Sequence, residues 1–185
     1  ACGEIAERLR ERGHEVMVLT SMFGFEGPNE NGHVRRILDH SYASGDGAVF
    51  LDMPFSAYNE HIIKKALEDY RPHSIYLWNF HGLSMQSVMK TVLSSNIPYV
   101  FHAMDYHLLA GYGSLQKWQE PLATEFLASE RCRIIAMSQT VRVKFLRQGY
   151  LNTHLVYHGV EVVPPSAGLE KADGDGLRLI YTGQV

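Results

Sequence analysis

Asn96-Ile97-Pro98-Tyr99-Val100-Phe101-His102-Ala103-Met104-Asp105-Tyr106-His107 is the stretch on which the reading of the fold turns. Pro98 cannot carry a helix through its own position, and it biases Ile97 towards extended backbone. Tyr99-Val100-Phe101 is a compact β-prone run, the pattern of a strand covered on both faces. His102, Asp105 and His107 then arrive within six residues, with Gly111 and Gly113 beyond them. The stretch therefore reads as a buried strand opening into a polar loop. Open parallel sheets hold their ligands at the carboxyl ends of strands, so this loop is the first place to expect chemistry.

Outward from this stretch, helix and strand patterns alternate. Upstream, Ala1 to Arg12 carries Ile5, Ala6 and Leu9 on one helical face, and Gly13 stands at the C′ position. His14 to Thr20 reads as a strand. The Gly- and Asn-rich run from Ser21 to Gly32 reads as a loop, and a short strand is expected around Arg35 to Leu38. Ser56 caps a helix over Ala57 to Tyr70, Ser74 to Trp78 is a strand, and Ser84 to Ser95 is a helix. Downstream, Trp118 to Ser129 is helical and Arg133 to Met137 extended. Ser138 caps a helix that ends at Gly149, and Thr153 to Tyr157 is a strand. This spacing predicts an α/β fold: a Rossmann-like parallel sheet with helices on both faces and right-handed crossovers. It also predicts that Asn79 and His81, His102 and Asp105, Ser138, and His158-Gly159 lie along one edge of that sheet.

Composition sets the outer limits. The 185 residues allow one domain, or one domain and a piece of another. A hydrophobic share of 45% and a charged share of 20% suit a packed globular core. The net charge of -3 gives no electrostatic case for nucleic acid. Two cysteines, Cys2 and Cys132, make no disulfide framework, and a reducing, cytoplasmic setting is the expectation. No apolar run is long enough to span a bilayer, and the first residues do not follow the pattern of a secretory signal. Arg8, Arg10, Arg12, Lys64 and Lys65 offer a peripheral contact to anionic lipid, although such sets are more often a solvated helix face.

Several stretches, in order, resemble the family-4 retaining glycosyltransferases. Leu9-Arg10-Glu11-Arg12-Gly13-His14-Glu15-Val16-Met17-Val18-Leu19-Thr20 is similar to the family's L-x-x-R-G-H-E-V-x-V-L-T segment. Ile97-Pro98-Tyr99-Val100-Phe101 with Asp105-Tyr106 resembles I-P-V-V-x-x-x-H-D-Y. Ile135-Ala136-Met137-Ser138 resembles I-I-A-x-S, and Val156-Tyr157-His158-Gly159-Val160-Glu161 resembles V-I-x-N-G-V-D. Leu179-Ile180-Tyr181-Thr182-Gly183-Gln184-Val185 resembles L-L-Y-V-G-R-L, the first strand of the family's second domain. Each motif alone is weak, and their order is what carries the resemblance.

The resemblance implies the N-terminal half of a GT-B fold, in which two Rossmann-like domains face each other across a cleft. It implies an acceptor-side domain over 1–163, a Pro- and Gly-rich linker over 164–176, and the first strand of a truncated donor-binding domain over 177–185. The family's opening strand and Gly-Gly loop have no counterpart ahead of Ala1-Cys2-Gly3. A break inside the sheet is therefore expected, with backbone edges left to be paired. The implied activity is transfer of a sugar from a nucleotide-sugar donor to the hydroxyl of a carbohydrate or lipid-linked acceptor, with retention and without a metal. The donor-gripping residues belong to the other domain. No cofactor is expected to bind this chain, and the chain alone is expected to be inactive. Other readings are a GT-B nucleotide-sugar epimerase, a metal-dependent hydrolase built on the histidine cluster, and a binding module without catalysis.

Asp105 and His102 are the candidate catalytic residues. Asp105 stands at the family's acidic position, and its duller reading is a turn residue bonding its own backbone. Met104 occupies the place of the family histidine; His102, two residues earlier, shares its strand face and could supply the missing contact. A buried histidine bonded within the core is the competing account. Ser138, Gly159, His158 and Asn79 are the candidate substrate-binding residues. Ser138 doubles as a helix N-cap, Gly159 lets the backbone turn closely, and His158 replaces the family's asparagine.

Overall fold

The computed structural model of the protein describes residues 2–21, 27, 30–40, 55–80, 82–111, 117 and 119–157. The 164–176 linker, the 177–185 strand, and His81, Trp118, His158 and Gly159 lie outside the described residues. Five helices and seven strands follow one another as α1 (Cys2–Glu11), β1 (Val18–Ser21), β2 (Glu30–Asn31), β3 (Val34–Leu38), α2 (Ala57–Tyr70), β4 (Ile75–Trp78), α3 (Met85–Ser94), β5 (Tyr99–Ala103), α4 (Glu120–Ala128), β6 (Cys132–Ala136), α5 (Gln139–Arg147) and β7 (Thr153–Leu155) among the described residues. The architecture is α/β, with parallel ladders flanked by helices.

Local chemistry starts and stops the helices. Ser56 and Ser138 both hold extended backbone, and their side chains accept the N–H of Asn59 and Val141 three residues on. Each satisfies one donor that a helix start leaves over. At the far end of α5, Gly149 takes φ +90°, a conformation that strains any residue with a Cβ. Its N–H reaches the Leu146 carbonyl at 3.0 Å, and the Tyr150 N–H reaches Phe145 at 3.2 Å, closing a Schellman motif. The Tyr150 and Phe145 rings complete the motif with an apolar contact, their centroids 6.1 Å apart.

The larger sheet has the order β4-β5-β6-β7, parallel throughout. Consecutive strands are neighbours, and each crossover carries one helix. Right-handed crossovers that all step in one direction place α3, α4 and α5 on one face. On that face Tyr99, Phe101, Ala103, Cys132, Ile134 and Ala136 are buried. They join Met85, Val88, Met89 and Val92 of α3, Phe126 and Leu127 of α4, and Phe145 of α5 in one core. On the opposite face Tyr76, Arg133 and His154 stay exposed.

The smaller sheet has the order β1-β3-β2, with β1 parallel and β2 antiparallel to β3. Among the described residues the hydrogen-bonded ladder is interrupted between the two sheets, and β1, β2, β4 and β7 each have one neighbour strand. The core is continuous beneath the interruption: Leu38 and Ile63 belong to the same cluster as Val88 and Phe101, with Leu19 of β1 and Leu77 of β4 packed against it. Both sheets thus rest on common apolar ground.

Two boundaries differ from the sequence reading for clear reasons. The run read as a loop up to Gly32 contains β2, because Glu30 and Asn31 turn through Gly32-His33 to pair with Arg35 and Val34. An Asn-Gly dipeptide before a β-prone run is a hairpin signal, and it was present here. The strand read from His14 begins only at Val18, since the Schellman close of α1, His14 N–H to Leu9 carbonyl at 3.1 Å, occupies the residues just after the helix.

Candidate functional site

Because β4, β5 and β6 run parallel, their carboxyl ends fall on one edge, and the residues just after them are neighbours. Asn79 follows β4, Asp105 follows β5 and Ser138 follows β6. Backbone bonds tie successive exits together: Met137 N–H to the Ala103 carbonyl at 3.4 Å, and Val156 N–H to the Ala136 carbonyl at 3.0 Å. The β4 exit is tightly wound. Asn79, Gly82 and Ser84 hold φ of 39°, 76° and 60° within six residues. Left-handed backbone at non-glycine residues costs about 1 kcal/mol or more each and needs support from its surroundings.

That support comes from Asn59, which the sequence reading did not single out. It is fully buried on α2. Its Oδ1 accepts the Asp39 N–H at 2.8 Å, and its Nδ2 donates to the carbonyls of Asp39 at 2.9 Å and Leu83 at 3.1 Å. One amide thereby fastens the end of β3 to the β4 exit. Beside it, Ser87 Oγ accepts the Ser56 N–H at 2.8 Å and donates to the Ser56 carbonyl at 3.0 Å.

Asp105 lies beyond the end of β5, with 54% of its side chain exposed. Its Oδ1 accepts the backbone N–H of His107 at 2.8 Å and is also hydrogen-bonded to His107 Nδ1. The turn-forming reading of Asp105 is therefore realised, and the carboxylate still faces solvent. Between these residues, the Tyr106 ring lies under Lys144 of α5, with Nζ 3.4 Å from its centroid.

His102 is not in the exit loop. It is the penultimate residue of β5, in register with Trp78 of β4 and Ile135 of β6, and is 4% exposed. Its ring meets Trp78, and its Nδ1 is hydrogen-bonded to the Tyr76 hydroxyl. His107 turns the other way. Its ring packs edge-on to Phe80 and Phe101 on the helix-covered face. Since Phe101 and His102 alternate across the strand, the two imidazoles lie on opposite faces of the sheet. They do not form one ligand set, and no group of three His, Cys, Asp or Glu residues suited to a metal occurs among the described residues.

The structure therefore brings Asn79, Asp105 and Ser138 to one edge, sets His102 one step inside it, and leaves His158 and Gly159 outside the described residues. None of the described helices is long and apolar enough to cross a membrane. A family model described as Glycosyltransferase Family 4 matches residues 2–163. No curated protein matches the chain.

Proposed function

The chain belongs to glycosyltransferase family 4, and from that premise we propose that it is the acceptor-side domain of an enzyme transferring a sugar from a nucleotide-sugar donor to a hydroxyl acceptor with retention. Family membership over residues 2–163 carries the reading. The proposed domain runs over 1–163, with 164–176 as linker and 177–185 opening a donor-binding domain. Donor, leaving diphosphate and their basic partners are assigned to that other domain, so this domain orients the acceptor.

In this reading Asp105 meets the acceptor hydroxyl. An ionised carboxylate is an acceptor only, suited to orienting a hydroxyl and to balancing positive charge as the sugar–phosphate bond breaks. His102 is the second proposed catalytic residue. Its Nδ1 is engaged by the Tyr76 hydroxyl, which fixes the orientation of the ring one step inside the edge. Asn79 and Ser138 flank Asp105 on the neighbouring exits, and His158 and Gly159, outside the described residues, are the other proposed substrate-binding residues. The acceptor is carbohydrate or lipid-linked, with peripheral membrane contact through the basic residues of α1 and α2 in the lipid-linked case. The metal-dependent hydrolase has no support from the histidines, which face opposite ways.

Saturation-transfer NMR with a panel of saccharides, including an alkyl glycoside, tests the reading. We expect transfer from the protein to the sugar ring, and its loss in Asp105→Asn, which keeps the turn because asparagine also bonds its backbone two residues on. Contact unaffected by Asp105→Asn would remove Asp105 from the acceptor site. Calorimetry with UDP-glucose and GDP-mannose should give no Kd below about 1 µM. Tighter binding would relocate the donor site to this domain.

A further inference from the structure

We propose that His107 is the positioning residue of Asp105, fixing its carboxylate before any substrate arrives. The proposal rests on the reading of Asp105 as a substrate-facing group. Two bonds from one residue converge on a single oxygen: the His107 backbone N–H at 2.8 Å and the ring Nδ1. An ionised carboxylate only accepts, so Nδ1 carries the hydrogen. The backbone bond approaches the oxygen from one direction, and the ring donor, from a different one, adds a constraint on χ1.

The ring that supplies it is itself held. His107 is 6% exposed, with centroids 6.4 Å from Phe80 and 6.1 Å from Phe101, both edge-on. Phe80 belongs to the β4 exit beside Asn79, and Phe101 belongs to β5. Both are core residues in contact with Phe126 of α4. The orientation of a half-exposed carboxylate is thus referred to the core rather than to its own loop. On the other side, Lys144 over Tyr106 fastens the intervening residue to α5. A side chain ordered in advance does not have to be ordered on binding.

The test reads the Asp105 rotamer directly. Three-bond couplings from its Cγ to the backbone nitrogen and carbonyl carbon are measured in the labelled 185-residue chain. Wild type, His107→Phe and His107→Asn are compared. Phenylalanine fills the aromatic box without a donor; asparagine places an N–H near the position of Nδ1. We expect a single rotamer in wild type, averaged couplings in His107→Phe, and a single rotamer again in His107→Asn. Should His107→Phe lose its chemical-shift dispersion, His107→Gln replaces it, keeping bulk while moving the donor away from Nδ1. A single Asp105 rotamer in the variant without the Nδ1 donor overturns the proposal, as do averaged couplings in wild type. Saccharide contact is scored separately. A fixed Asp105 that touches no sugar rejects the substrate-facing reading and leaves the hold of His107 standing.

Discussion

The imidazole of His102 lies against the indole of Trp78 with ring centroids 4.3 Å apart, and the Tyr76 hydroxyl closes on its Nδ1 from the same face of β4. Parallel register brings this about: Trp78 pairs with His102 directly, and Tyr76 stands two residues back on the same side. A polar ring held this way contributes packing as well as any contact it makes at the edge.

His102→Ala should therefore cost stability whatever its role. Removing a ring from a site 4% exposed leaves a cavity, and about 2–4 kcal/mol is expected. Tyr76→Phe keeps the rings and loses one hydroxyl bond, for about 1 kcal/mol. In an active enzyme containing this domain, a His102 that meets substrate should lose a further ~10²–10³-fold in turnover. Thermal melts and rates are measured on the same preparations. A lowered Tm with unchanged turnover would assign His102 to the core and leave Asp105 as the working residue of the pair.

Asn59 is expected to be among the most sensitive polar positions. Asn59→Ala strands the Asp39 N–H and two carbonyls around a fully buried site. A loss of about 2–4 kcal/mol follows from leaving several buried groups unpaired. Urea unfolding should report a lower midpoint with unchanged slope, and the Leu83 and Ser84 amides should exchange faster. An unchanged midpoint would mean that the β4 exit is held by other means.

What the sequence revealed and what it hid divide along contact distance. Ser56, Ser138, Gly13 and Gly149 were legible because a cap acts within three to five residues, and their identities suffice. The strand at Tyr99 was legible from Pro98 and the β-prone run that follows. Asn59 was not, because its partners stand 20 and 24 residues away and one lies in a wound loop whose path no local pattern encodes. The β-prone run reads through Phe101, with a buried His102 as the competing account, whereas β5 continues through Ala103. That extension moves the ring from the loop to the sheet face. The opposed directions of His102 and His107 were hidden as well, because His107 is turned back onto Phe101 by the Asp105 turn and not by strand alternation.

Ser138 allows cap and ligand roles to be separated. Its oxygen accepts the Val141 N–H at 3.2 Å, so Ser138→Ala should cost about 1 kcal/mol. Ser138→Asp retains the acceptor and places a negative charge at the positive end of α5, so its Tm should match or exceed wild type. If Ser138 also faces the acceptor, the added charge should weaken saccharide contact in the same NMR experiment. Full contact in Ser138→Asp would leave Ser138 as a cap alone.

Alkaline stability offers a check on the core beneath the edge. Burial pushes the Cys132 thiol up to about 12, and burial likewise raises the Tyr99 hydroxyl to about 12. Tyr99 donates to the Phe126 carbonyl at 2.5 Å, a bond that its ionised form cannot make. Both groups hold their protons more tightly in the folded chain than in the unfolded one. As pH rises, the unfolded chain releases protons first, and alkali favours unfolding. Their stabilising contribution is complete below about pH 8.5, where the unfolded thiol is still protonated. It declines as the pH approaches about 12. For Cys132 the decline should amount to roughly 3 kcal/mol by pH 10.5. Cys132→Ala costs packing at every pH but removes the thiol's share of the decline, so the stability gap between variant and wild type should narrow between about pH 8.5 and 10.5. Urea midpoints followed by circular dichroism across that range measure it, and parallel profiles for the two proteins would show that the thiol does not titrate against a buried core.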